Sequence, residues 1–456
     1  MGVAESARQP IRYVLPNPTF VSIIIYSQKE LIDSGEVMKK AILSVIVALI
    51  LISVSVVSVN WLIHGSDGVS SDSPPTTVTE LVNCSNDFSF EMYSMLAAEG
   101  DENLFFSPYS ITTALGMCFE GARGQTAEEM ARVLNFPTDN RTRWDMMQAY
   151  QTHFNEASDS YNLSTANSYW LRQGGNLLEA YRVAIESYYL AHGEELDFLG
   201  DPEGSAETIN AWVEGQTDGK IKDLVDPSLI TEYTYLILTN AVYFKSDWKY
   251  QFNETATENR TFHLEGGQDI DAETMHMHDT EIALNYSENG DVQLLQLPYK
   301  DGALSMYILL PKDNDIGALE SKLDSDYLGS LTDGLSPEEV NLYLPKFRFE
   351  QKYRLHQMLI DMGMPTAFSG GADFSGMTDS VSLKIDWVIH QSFVEVNEEG
   401  TVAAAATAVG MGYTSAGPSA PEPVLFDADH PFIFFIRHEE TGQILFMGKM
   451  GNPAPE

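Results

Sequence analysis

Val388-Ile389-His390-Gln391-Ser392-Phe393-Val394-Glu395-Val396 carries the β-branched and aromatic content of a strand. One residue later it leads into Glu398-Glu399-Gly400-Thr401-Val402-Ala403-Ala404-Ala405-Ala406-Thr407-Ala408-Val409, a run of small side chains. Gly, Ser and Pro then dominate through Pro423, the composition of an exposed loop. This order constrains the fold, because the small-residue run must be either a helix hung on a strand or an extended piece that lies against other backbone. Alanine is the best helix former, which favours the helix. Thr401, Val402, Thr407 and Val409 are β-branched and Gly400 breaks the start, which favours the extended form.

The rest of the chain can bury a large core. Among its 456 residues, 44% are hydrophobic, with 22 Phe, 21 Tyr and 6 Trp, enough for one or two globular domains. The formal net charge is -40. Nearly all of it lies after residue 63, where 21 basic residues face 62 acidic ones. Nucleic acid and anionic membranes are therefore poor partners. Such an acid excess suits a soluble secreted surface, or a salt-adapted source in which self-repulsion is screened.

Lys39 and Lys40 precede a run from Ala41 to Ile63 that contains no charged residue. About 20 such residues suffice to cross a bilayer. The basic pair before it and Asp67, Asp72 and Glu80 after it predict the N-terminus inside and the bulk outside. The run exceeds the roughly 7 to 15 apolar residues of a cleaved signal peptide, and Ser53-Val54-Ser55 is a mediocre cleavage site. A signal anchor is favoured over a signal peptide for residues 38–65, with 1–37 an N-terminal extension, 66–79 a Ser/Pro/Thr/Asp-rich tether and 80–456 the folded domain. The expected location is extracellular, or on the outer membrane face through residues 41–63 if these are uncleaved.

Cys84 and Cys118 are the only cysteines, so no disulfide framework holds the fold, and a bridge between them is open but not implied. Asn83, Asn140, Asn162, Asn253, Asn259 and Asn285 head N-x-S/T triplets usable in an exported chain. Catalytic patterns are missing: there is no G-x-S-x-G elbow and no H-E-x-x-H pair. Gly215-Gln216-Thr217-Asp218-Gly219-Lys220-Ile221 is one residue short of a phosphate loop and reads as a turn. His276-Met277-His278-Asp279 reads as sheet or surface histidines rather than metal ligands, so no metal and no cofactor are expected. Apolar residues recur at helical spacing in Phe88 to Ala98 and Leu178 to Tyr189, whereas strands such as Leu304 to Leu310 and Val340 to Leu344 end at prolines. Helices early and strands late predict an α+β domain.

Several separated blocks resemble one family, the serpins, across nearly all of residues 85 to 453. They are Asn103-Leu104-Phe105-Phe106-Ser107-Pro108-Tyr109-Ser110-Ile111 with Gly121-Ala122-Arg123-Gly124-Gln125-Thr126, then Ile209-Asn210-Ala211-Trp212-Val213. Leu238-Thr239-Asn240-Ala241-Val242-Tyr243-Phe244-Lys245-Ser246-Asp247-Trp248 follows, and Asp429-His430-Pro431-Phe432-Ile433-Phe434-Phe435-Ile436 and Phe446-Met447-Gly448-Lys449-Met450 close the series in family order.

The resemblance implies three β-sheets with about eight or nine helices and an exposed reactive-centre loop. It implies a monomeric suicide inhibitor of serine proteases, with cysteine proteases as a second target class, rather than an enzyme. By this resemblance Glu398, Glu399, Gly400, Thr401, Ala403, Ala405 and Thr407 form a hinge whose alternate residues enter the sheet. Ser107, Ser110, Asn240 and His390 match the polar lock between the middle strands, and Trp248 the tryptophan where the loop enters. Counting from Glu398 as seventeenth before the cleaved bond puts that bond between Thr414 and Ser415, or after Tyr413 if the register slips by one. Two other functions stand beside inhibition: a non-inhibitory carrier or chaperone of the same fold, and a hydrolase with a mobile Ala-rich lid. Arg141 and Arg143 stand almost alone among acids, so no basic activator patch is expected near 140–150.

Overall fold

The computed structural model describes residues 76–154, 161–279, 281–401 and 422–454. The apolar run at 41–63 lies outside them, and no described helix is long and apolar enough to cross a membrane. Between residues 76 and 216 the described chain holds six α-helices and three strands, and from Leu236 onward thirteen strands and three short α-helices. The first helix, Thr76–Ala97, begins inside the 66–79 segment expected to be a tether. Val78, Leu81 and Val82 are the reason, since all three are buried, and a helix forms where an apolar face can be covered.

The helix Pro108–Gly121 runs through the interior. Ser107 caps it, its hydroxyl accepting from the Ser110 N–H at 3.2 Å, and Pro108 stands at the first helical turn, where a missing N–H costs nothing. It is buried on nearly every face, from Tyr109 and Ile111 to Met117 and Phe119, and its polar members Ser110, Thr113 and Glu120 are hydrogen-bonded inside.

Two strand arrays sandwich the core. The larger one has ten strands, and Ser336–Pro345 bends it into two sheets. Residues 336–339 of that strand pair with 283–286, whereas its second half pairs with Met275, His276 and Met277 and with Val424–Asp427. Counted so, the fold has three sheets. Leu304–Pro311 and Ile444–Met450 are buried at every position, which explains their largely apolar sequences; the buried Lys449 ammonium is 3.5 Å from Glu320 and Ser305 accepts from Gln296. Phe105 stacks between Phe434 and Phe446 at 5.8 and 5.3 Å. The six-stranded sheet runs in the order Phe347–Arg354, Ile389–Val396, Gly400–Thr401, Leu236–Asp247, Tyr161–Arg172, His192–Leu196.

His276 and His278 behave as sheet residues. His276 meets Asn341 Oδ1 at 2.8 Å and stacks on Tyr343, and His278 meets Glu339. Cys84 and Cys118 are both free thiols, Cys84 donating to the Asn135 carbonyl at 3.0 Å.

Arg143 is not a surface cation. Its guanidinium forks onto the buried Glu120 carboxylate at 2.7 and 2.8 Å and lies 4.6 Å above the Phe119 ring. The Trp144 indole and Tyr189 hydroxyl donate to the same carboxylate at 2.7 and 2.8 Å. Arg141 pairs with Asp145 at 3.2 Å, so this helix presents no basic patch. Removing one partner of a buried pair strands the other charge, at a cost of about 3–5 kcal/mol. Arg143→Ala is therefore expected to lower the urea midpoint strongly, and so is Glu120→Gln, whose amide NH2 would face the donors of Arg143, Trp144 and Tyr189 and leave the guanidinium charge unpaired.

Candidate functional site

The six-stranded sheet contains an unusual element, a two-residue strand in its middle. Ile389–Val396 runs beside Phe347–Arg354 in an eight-residue antiparallel register, from Phe347↔Val396 to Arg354↔Ile389. The chain then turns at Asn397–Glu399 and comes back as Gly400–Thr401, which pairs with Val396 on one side and with Ser246 and Asp247 on the other. Among the described residues, Ile389–Val396 and Leu236–Asp247 bond to this short strand and not to each other.

The turn is built by its own polar groups. Asn397 Oδ1 accepts from the N–H groups of Glu399 and Gly400 at 3.1 and 3.2 Å, and its N–H donates to the Gly400 carbonyl at 3.1 Å. Trp248 fastens the turn from outside, its indole donating to the Asn397 carbonyl at 2.9 Å and its N–H to Glu399 O at 2.8 Å. Gly400 is sterically required: a Cβ there would lie 2.1 Å from the Ser246 carbonyl oxygen and 2.7 Å from Asp247 Cα.

Thr401 points into the core. It is 3% exposed, and its hydroxyl is 2.7 Å from the hydroxyl of the fully buried Tyr299. Trp248 stacks on that same ring at 4.6 Å and 8°. Glu398 is also buried, between Thr257, which donates at 2.7 Å, and Lys346, whose ammonium is 3.2 Å away. Burial alone would raise its pKa, but the hydrogen bonds from Thr257, the backbone and Lys346 outweigh it and hold the carboxyl below its usual value.

Farther along the same two strands lies a polar row. His390 Nε2 accepts from the Ser107 N–H at 3.0 Å, and the Ser107 hydroxyl donates to Leu445 O at 2.7 Å. The Ser110 hydroxyl bonds Asn240, Asn240 bonds Asn167, and Asn167 donates to Gln151 at 3.2 Å and to Tyr189 O at 2.6 Å. Buried polar groups must pair, and here the helix Pro108–Gly121 supplies partners to strands on either side of the central position. Desolvation lowers the His390 pKa from 6.5 to about 3, so the ring is neutral at pH 7. Beyond this row a cleft of about 820 Å³ opens, walled by Leu236, Leu238, Val388 and Trp387 and floored by Leu115 and Met377.

Of the residues singled out from sequence, Glu398, Glu399, Gly400, Thr401 and Trp248 meet at one end of the sheet, and Ser107, Ser110, Asn240 and His390 meet near its middle. Ala403, Ala405, Thr407, Tyr413, Thr414 and Ser415 lie outside the described residues. Tyr299, Asn397, Thr257, Lys346 and Asn167 complete the two groups and carry no sequence signal of their own, since each acts through a partner 50 to 150 positions away or through the turn geometry.

His390 makes stability depend on pH. Its folded pKa lies below the unfolded value, so the unfolded chain binds more protons in acid. The contribution is complete above about 6.5 and is lost as pH falls toward 3. At about pH 4.5 the loss is about 2 to 3 kcal/mol. Urea titrations at that pH and at neutrality should show His390→Gln, whose amide oxygen can accept from Ser107, losing less on acidification than the wild-type chain; equal losses would contradict the assignment.

Comparison with known proteins bears on this arrangement. The sequence profile described as serpin (serine protease inhibitor) matches residues 83–453. An uncharacterized serpin-like protein of Thermococcus kodakarensis is 44% identical over 374 residues, covering 82% of this chain and 86% of that one. Human Serpin B3 is 37% identical, with 82% of this chain and 100% of the human protein covered. Among solved structures, Serpin48 of the insect Tenebrio molitor superposes with a TM-score of 0.72 at 32% identity over 84% of this chain and 100% of its own. Uncleaved ovalbumin, at 27% identity and a TM-score of 0.72, covers 82% of this chain. With three sheets, a strand-bounded central position and this match over most of its length, the chain belongs to the serpin family.

Proposed function

We propose that this serpin is a suicide inhibitor of serine proteases, with cysteine proteases as a second target class. The observation that carries the reading is Thr401, already seated between Val396 and Ser246 with its hydroxyl on Tyr299. It is the first rung of a strand that the rest of the Ala-rich run can continue. Projecting both registers forward sets Ala403 between Val394 and Phe244, Ala405 between Ser392 and Val242, and Thr407 between His390 and Asn240. The next inward residues, Val409 and Met411, then fall at Leu238 and Leu236, where the apolar cleft opens.

In this reading a protease takes the segment as bait, and its nucleophile attacks the carbonyl of Thr414, forming an acyl-enzyme and freeing Ser415. The cleaved run then enters the sheet, gaining backbone hydrogen bonds that contribute about 0.5 to 1.5 kcal/mol each, and carries the attached protease with it. Glu398, Glu399, Gly400, Thr401, Ala403, Ala405 and Thr407 act as the hinge, Trp248 as the fixed post at its start, and Ser107, Ser110, Asn240 and His390 as a lock whose bonds exchange as the strand passes. A carrier or chaperone role is the second reading, since ovalbumin and thyroxine-binding globulin are among the structural relatives. Small, uncharged side chains at Thr401, Ala403, Ala405 and Thr407 favour inhibition over it. Export, with residues 41–63 as anchor or signal, belongs to the same proposal, and protease shaving of intact cells tests it.

Incubating the purified chain with a panel of serine and cysteine proteases should give an SDS-stable adduct with an enzyme of small or permissive primary pocket. Sequencing the released C-terminal fragment should begin at Ser415; a start at Thr414 would move the bait to Tyr413. Thr401→Arg buries an unpaired charge costing several kcal/mol, so adduct yield should fall by at least about tenfold while cleavage of the loop continues. Met411→Glu is expected to act the same way, later in insertion. A stable adduct from both variants would sink the insertion account.

A further inference from the structure

The cleft of about 820 Å³ beyond the polar row has the size of a small-molecule site. Exposed apolar residues gather on its lining: Tyr233 is 80% exposed, and Val381 is exposed as well. Uncovered apolar surface that converges on one concave site marks it as a place where a ligand is held.

One end of the cleft holds a cation. Arg172 closes the strand Tyr161–Arg172, its N–H donating to Tyr235 O at 2.9 Å, and its guanidinium lies 5.0 Å over the Tyr235 ring. That ring is locked at its far end, where the hydroxyl accepts from the Asn176 N–H at 2.7 Å and donates to the Asn176 carbonyl at 3.1 Å. The guanidinium is thus held in place, and among the described residues no carboxylate takes its N–H groups. The other charged groups on the lining do not answer it. Lys384 pairs with Asp386, and Glu232 is exposed on the loop before Leu236–Asp247 and forms no ion pair there.

The other end holds a donor. His390 lines the cleft, is 6% exposed and accepts at Nε2 from the Ser107 N–H, so its neutral ring carries the proton on Nδ1. Among the described residues that Nδ1–H meets no acceptor. A buried donor left in this state is costly, and a ligand oxygen would satisfy it. Projecting the registers at Thr401 sets His390 level with Asn240, and from Asn240 to Tyr235 the strand rises about 17 Å, at about 3.3 Å per residue.

We propose that this cleft binds an elongated monocarboxylate, with its carboxylate on Arg172, its apolar chain between Leu236, Leu238, Val388 and Met377, and an oxygen at its far end on His390 Nδ1. The ligand class is that of fatty acids oxygenated at the chain end. A forked guanidinium–carboxylate pair fixes the head, and burial of the chain supplies most of the affinity. The site belongs to the uncleaved chain and does not rest on the inhibitory reading. With a formal net charge of -40 the surface as a whole repels anions and draws cations, so nonspecific uptake would select the opposite head group.

Isothermal titration calorimetry of the full chain near neutral pH tests the site with ω-hydroxydodecanoate, whose extended length suits the span. Dodecanediol, which lacks the carboxylate, and dodecylammonium, which reverses its charge, should each bind about tenfold or more weaker. Dodecanoate, which lacks the far oxygen, should bind about fivefold weaker. Arg172→Gln should bring ω-hydroxydodecanoate down to the level of dodecanediol and leave dodecanediol where it was. The thiols report the location: Cys118 lines the cleft and Cys84 does not, so saturating ligand should slow maleimide labelling of Cys118 and leave Cys84 unchanged. Diol or ammonium bound by the wild-type chain as tightly as the hydroxy acid overturns the proposal whether or not the variant folds. Labelling of Cys118 that the ligand does not slow overturns it too, and dodecanoate bound as tightly as the hydroxy acid overturns the assignment to His390.

Discussion

The turn at Asn397–Glu399, held by Trp248 and followed by Thr401 on Tyr299, is the constraint on which the rest of the arrangement depends. A strand in the middle of a sheet has to bond on both edges, and strands flanking a central position have to find partners for the edges they turn toward it. Gly400 and Thr401 begin to meet that demand at one end. The turn needs an asparagine to gather two N–H groups, and the return needs a residue without a Cβ because Ser246 and Asp247 lie too close for one. Once those two residues are fixed, register and facing follow for every residue that could come after them.

Farther down the sheet, polar groups are used where apolar ones would pack as well. Ser107, Ser110, Asn240, Asn167 and His390 form a connected set bridging the interior helix and strands on both sides of the central position. Buried pairs of this kind contribute modest net stability, because desolvation consumes most of what they gain. Their distinguishing property is that bonds can be exchanged between partners. A row of leucines would hold the strands by contact area alone, with no discrete alternative pairing. The Glu120–Arg143 pair shows the contrasting use, with its carboxylate saturated by Arg143, Trp144 and Tyr189 and fixed in one geometry.

Much of this was legible in the amino-acid order. The block from Asn103 to Ile111, the apolar strands ending at Pro311 and Pro345, and the sequence of helices before strands all correspond to elements that formed. The helix Thr76–Ala97 reaches back into the segment read as a tether because Val78 is covered by a body that the local sequence does not show. The burial of Arg143 was not legible locally for the same reason, since Glu120 lies 23 positions earlier on another helix. Tyr299 was invisible: it owes its place to being opposite Trp248, an antiparallel bridge between distant segments.

Sequence alone determined that the segment after Gly400 can lie flat against other backbone, because Thr401, Ala403, Ala405 and Thr407 are uncharged and small, a property of side-chain size and charge that needs no coordinates. It also determined the family, through blocks kept in order along the chain. Tertiary structure decided where such a strand begins, and which way Thr401 faces and what it meets. Those are properties of register between strands more than 100 residues apart, and register is set by pairing and packing rather than by local preference.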